Sequence, residues 1–115
     1  MKDKLLDSKN RLEHMIEAII AIEKFSKNED SVSFCENEML NNSILLQFII
    51  IGEAIVHVED RILKKYDYPW YKIRSFRNMI AHEYFNIKLP AVWEIIQKDL
   101  PELKTILQQV LAKEF

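Results

Sequence analysis

One glycine, one cysteine and three prolines are spread through 115 residues, and each scarcity removes a class of protein. Sandwiches and barrels turn often, and their turns draw on Gly, Pro and Asn. Gly52 is the single glycine available, which weighs heavily against an all-β architecture. The Walker loop and the dinucleotide-binding fingerprint each need several glycines in one short run, and both are excluded outright. Cys35 can form neither an intrachain disulfide nor a cysteine-based zinc site. A lone cysteine fits a reduced, cytoplasmic setting. The start, Met1-Lys2-Asp3-Lys4, leads into mixed charge with no apolar signal core, so no export signal is expected. The most apolar run, Ile44 to Val56, carries Gln47 and Glu53 and is shorter than the roughly 20 residues of a bilayer-spanning helix, so no membrane is expected.

What is present suits a globular chain. Hydrophobic residues make up 49% and charged residues 30%, enough apolar surface for one core and one domain over residues 1–115. The net charge of −2 hides an uneven distribution. Residues 1–60 carry 6 Lys or Arg against 12 Asp or Glu, whereas residues 61–88 carry 7 against 2. Basic charge gathered in one short segment is what contact with phosphate requires.

The apolar periodicity is helical. Leu5, Leu12, Met15, Ile16, Ile19, Ile22 and Phe25 recur at three- and four-residue steps and predict a helix over 3–26. Asp30 or Ser31 can cap a short second helix through Glu38. A long helix follows from about Glu38 to Lys65, apolar nearly all round between Ile44 and Ile51 and therefore buried on most sides. Gly52 inside it costs about 1 kcal/mol against Ala and marks a close helix–helix approach. Asp67-Tyr68-Pro69 breaks the chain and starts a helix to about Glu83, with Pro69 in its first turn. Pro90 opens another, and Pro101 kinks or restarts the last, whose stripe is Leu103, Ile106, Leu107, Val110 and Leu111. The expected fold is an all-α, antiparallel four-helix bundle with a short extra helix near the C-terminus.

The segment Trp70 to Tyr84 carries the chemistry. On a wheel of about 100° per residue with Arg74 at zero, Ile73, Phe76, Met79 and Ile80 fall between about 140° and 260°. Arg74, Arg77, Asn78, Ala81 and His82 fall on the opposite side. His82 thus shares a polar face with two arginines and an amide. Glu83 falls within the apolar stripe, so the helix should stop there and let Tyr84 swing free. An arginine offers a planar fork of donors to phosphate oxygens, and a histidine can give or take a proton near neutral pH. Together they could assist RNA cleavage without a metal, with the ribose 2′-OH as nucleophile. Lys72 and Arg74 are candidate RNA-phosphate contacts.

The run Arg77-Asn78-Met79-Ile80-Ala81-His82-Glu83-Tyr84 resembles the R-N-x-x-x-H-x-Y motif of the HepT-like branch of the HEPN domain superfamily. Three surroundings fit the same branch: Ile51-Gly52-Glu53-Ala54 before it, Pro69-Trp70 at its start, and Val92-Trp93 with Leu100-Pro101 after it. The resemblance covers nearly the whole chain. It implies a HEPN-like bundle and a metal-independent endoribonuclease toxin of a type II/VII-like toxin–antitoxin pair. It implies Arg77 and His82 as catalytic residues, with Asn78 as the polar helper. Tyr84 would receive AMP from a nucleotidyltransferase antitoxin of the MntA type. It implies a homodimer that brings two motifs to one cleft, and no cofactor. The alternative is a non-catalytic HEPN binding module, the partner subunit of a minimal nucleotidyltransferase.

Other residues are weaker candidates. Glu53 and His57 stand four apart with Glu59 and Asp60 near, but the Glu-x-x-His spacing of di-iron bundles is absent, and no metal site is expected. His57 should line the cleft or pack between helices. His14 lies among charged residues and should be solvated. Cys35 has no basic neighbour in sequence and should pack. Trp70 and Trp93 read as core or interface anchors.

Overall fold

Leu12, Met15, Ile19 and Ile22 form the buried stripe of the first helix in the computed structural model, which describes residues 2–115. This helix, α1, runs Lys2–Ser26. Leu5 and Phe25, at the two ends of the expected stripe, are partly exposed instead. Asp30 caps α2 (Ser31–Glu36) through a reciprocal box: its Oδ1 accepts the Ser33 N–H at 2.8 Å, and its own N–H donates to Ser33 Oγ at 2.9 Å. The helix expected through Glu38 stops two residues sooner. Asn37 has an extended backbone there, and its side chain accepts the Leu40 N–H at 3.0 Å to cap the next helix.

That helix, α3, spans Glu38–Val56 and does not continue to Lys65. After the His57 cap the chain turns, and Val58 enters the core. The Glu59 N–H, which a continuous helix would have satisfied internally, donates to the fully buried Ser8 hydroxyl of α1 at 3.1 Å. A short α4 (Asp60–Leu63) then buries Ile62 and Leu63. The apolar spacing through Ile55, Val58, Ile62 and Leu63 therefore spans a turn rather than one helix. By length and composition alone α3 could cross a bilayer, but it is the central helix of the bundle, packed against both α1 and α5, which spans Tyr71–His82.

Pro69 lies just ahead of α5, and Trp70 is tied back to α4 by its indole N–H, which donates to the Leu63 carbonyl at 3.0 Å. The helix runs antiparallel to α3, since Gly52 meets Ile73 and Arg77 while Asn42 meets Tyr84. Phe48 and Phe76 pack edge to face with ring centroids 4.9 Å apart. Of the expected apolar stripe only Ile80 is fully buried. Ile73 and Phe76 are half-buried, and Met79 is 37% exposed. One flank of α5 faces an apolar cavity of about 280 Å³, which Phe48, Ile51, Tyr68, Ile73, Phe76 and Leu103 help to line.

A 3-10 turn over Tyr84–Asn86 leads to α6 (Leu89–Glu94), with Pro90 in its first turn. The chain then widens into a π-helical turn over Ile95–Asp99, in which the Leu100 N–H donates to the Ile95 carbonyl, before α7 (Leu100–Glu114). Pro101 has no N–H to offer, and the register change sits just ahead of it. Trp93 of α6 packs against Phe34 of α2 at 5.4 Å. The architecture is all-α, with no strand among the described residues. Its short extra helices are α2 and α4, whereas α6 joins α7 directly through the π turn.

Candidate functional site

Glu83 ends α5 where the wheel requires. Its backbone leaves the helical region at φ −124°, ψ 31°, and its N–H makes a last bond to the Met79 carbonyl at 2.8 Å. Continuing the helix would turn this carboxylate toward the apolar side of α5, where burying a charge is costly. His82 is thus the final helical residue, and it is exposed, as are Arg74, Asn78 and Ala81. The polar face expected from the spacing is present on α5.

Arg77 is the least exposed member of that face. A Cβ on Gly52 would overlap its Cβ and Cγ, so its stem lies directly on the α3 backbone. Glycine is needed at 52 for this close approach. Arg77 Nη2 pairs with the Glu53 carboxylate, and Nη1 donates to Asn78 Oδ1 at 3.2 Å. Its Nε is buried and makes no hydrogen bond among the described residues. Asn78 therefore touches Arg77.

Tyr84 begins the 3-10 turn just past His82 and is partly exposed. It does not swing free. Its hydroxyl donates to Asn42 Oδ1 of α3 at 2.5 Å, and its ring meets the almost fully exposed Phe85 edge-on. Lys72 is not gathered with Arg74 and Arg77. It lies at the rim of the apolar cavity, with Asp99 and Glu102.

No group of three or more His, Cys, Asp or Glu side chains is placed to hold a metal among the described residues. Glu53 turns to Arg77 instead of pairing with His57, which is exposed at the end of α3. His14 is exposed, Cys35 is half-buried against the core, and Trp93 is buried. Spacing offers Glu53 only as a weak metal-ligand candidate and gives no sign of Asn42 as the partner of Tyr84. The available signal was Gly52-Glu53 itself, a helix-breaking residue beside a carboxylate in the run facing the motif.

An all-α bundle whose motif helix presents Arg77, Asn78 and His82, with Tyr84 just beyond, defines a recognisable class. The chain belongs to the ribonuclease HepT-like family, which it matches over residues 15–110. It is 27% identical over 97 residues to the "probable ribonuclease HepT" of Thermococcus cleftensis, covering 84% of this chain and 88% of that one. It is 29% identical over 104 residues to a "putative RNase" of Caldanaerobacter subterraneus subsp. tengcongensis, covering 90% and 93%. A "gamma-glutamylcyclotransferase and putative RNase" of Methanocaldococcus jannaschii is 30% identical over 108 residues, covering 93% of this chain. The present chain spans about half, 49%, of that protein's length. No solved structure matches the chain.

Proposed function

We propose that this protein is a metal-independent endoribonuclease that cleaves RNA with Arg77 and His82. The observation that carries the reading is the exposed face of α5, where a guanidinium held by two side chains shares the last turns with a solvent-facing imidazole. Arg77 binds the scissile phosphodiester, and Arg74 adds a second positive charge on the same face. His82 takes the proton of the ribose 2′-OH. The 2′-oxygen bonds to phosphorus, the bond to the 5′-oxygen breaks, and the proton returns to that oxygen. The products are a 2′,3′-cyclic phosphate and a 5′-hydroxyl. Neither a metal nor an organic cofactor enters this scheme.

The same reading makes the chain the toxin of a toxin–antitoxin pair, working in the cytoplasm as a homodimer. Met39, Leu46 and Ile50 support the dimer. They fall on one exposed face of α3 with Glu53, and Met39 is 81% and Leu46 54% exposed. Two copies joined near this face bring two basic segments to one groove. A nucleotidyltransferase antitoxin silences the toxin by joining the α-phosphate of ATP to the Tyr84 oxygen, with release of pyrophosphate. The adduct places an anionic nucleotide beside Arg77.

The test is RNA cleavage by the purified chain in EDTA, with the product ends identified by mass. Internal cuts with cyclic phosphate ends are the expected result. A chain that leaves every RNA intact, yet binds a nucleotidyltransferase, is the non-catalytic module instead.

A further inference from the structure

Arg77 is constrained along its whole length. Its stem lies in the space left by Gly52, its Nη1 meets Asn78, its Nη2 meets Glu53, and its Nε is closed off from solvent. A guanidinium carries five N–H bonds on one rigid plane. With the Nε–H enclosed and one bond from each terminal nitrogen engaged, Nη1 and Nη2 each keep one N–H for a ligand. The Glu53 carboxylate therefore leaves donors available and governs where the plane points.

We infer that Glu53 is a positioning residue of the ribonuclease site, holding the Arg77 guanidinium in the orientation that receives the scissile phosphate. The inference rests on the ribonuclease reading above. Glu53 is not needed to hold α3 in place, because that helix is anchored by eight buried residues, among them Ile44, Phe48, Ile51 and Ile55. The side chains of the pair are 31% exposed for Arg77 and 51% for Glu53. An ion pair that open to water adds little to fold stability. What it removes is the rotamer freedom of a long side chain, and fixed geometry is worth most at the transition state. The carboxylate also cancels part of the positive charge that draws RNA in. Its benefit should thus appear in kcat and not in KM.

Single-chain variants in an RNA cleavage assay separate these effects. Glu53→Ala should lower kcat on the order of 10- to 100-fold, the scale of a misplaced catalytic group, with KM unchanged or lower. Glu53→Gln keeps an acceptor oxygen and should recover much of the loss. In an Arg77→Lys background, Glu53→Ala should have little further effect, because the fork it orients is gone. The Arg77 side-chain NMR order parameter should fall in Glu53→Ala before any RNA is added, a readout independent of turnover. Wild-type kcat in Glu53→Ala, a faster enzyme, or an unchanged order parameter would overturn the inference and leave the ribonuclease reading standing. A wild-type chain that cleaves no RNA overturns both.

Discussion

Arg77 occupies the space that any side chain at position 52 would need: a Cβ on Gly52 would stand on its Cβ and Cγ. These are the atoms nearest the α5 backbone, so they cannot swing aside as a flexible tip could. Gly52→Ala must push α5 from α3, because no rotamer change moves the Arg77 Cβ, and the Arg77 stem is displaced with it. Overpacking of this kind costs about 1–3 kcal/mol, offset by the roughly 1 kcal/mol that Ala gains over Gly in a helix. We expect a net loss of up to about 2 kcal/mol by urea denaturation, together with loss of cleavage. A variant as stable and active as wild type would show that the contact is not tight.

The exposed apolar face of α3 predicts assembly. Sedimentation at micromolar concentration should show a dimer, and Leu46→Asp, which alters no buried contact within one copy, should give a folded monomer. A wild-type monomer would remove the shared groove from the account.

The hydrogen bond from Tyr84 to Asn42 sets the accessibility of the modification site. The hydroxyl must leave Asn42 before it can accept AMP. A bond with a net worth of about 1 kcal/mol slows that step by roughly two- to tenfold. Asn42→Ala should therefore be modified faster by the cognate nucleotidyltransferase and ATP. Tyr84→Phe should gain no AMP mass and should escape silencing. An adduct on another residue would end the regulatory part of the proposal while leaving cleavage untouched.

The end of α7 should respond to acid. Glu114 accepts from Lys65 Nζ at 2.8 Å and from the Tyr66 hydroxyl at 2.9 Å, and these bonds hold its carboxyl below the ordinary glutamate range. A carboxyl depressed by folding stabilises the fold above its unfolded pKa, and that contribution is lost as pH falls through the folded value. NMR titration should show the Glu114 midpoint below that of exposed glutamates, and Lys65→Ala should raise it. Tyr68 is the opposite case: burial first, then Glu102 and Asp99, push its phenol up to about 12. Its contribution is full below an unfolded tyrosine's pKa and is lost as pH rises through the folded value.

Local rules made much of this molecule legible. The α1 stripe, the Asp30 cap, the close approach at Gly52 and the stop at Glu83 each follow from residues within a few positions. The parts that were not legible depend on distant partners. Nothing near Val56 announces the end of α3, because the Glu59 N–H is satisfied by Ser8, 51 residues away. Met79 repeats at the apolar period but is partly exposed, because periodicity does not say which turns of a helix a distant element will cover. At the candidate site, the wheel placed Arg77, Asn78 and His82 on one polar face, and all three lie on one helix. It could not find Glu53 or Asn42 as their neighbours, since both belong to α3.

The most direct measurement uses an oligonucleotide with one ribonucleotide among deoxynucleotides, so that only one 2′-OH can attack. In EDTA, the wild-type chain should cut it there and leave a 2′,3′-cyclic phosphate. His82→Ala and Arg77→Ala, folded as judged by circular dichroism, should each be slower by about 100- to 10,000-fold. Wild-type cleavage by His82→Ala, or complete inhibition of the wild type by EDTA, would contradict the account.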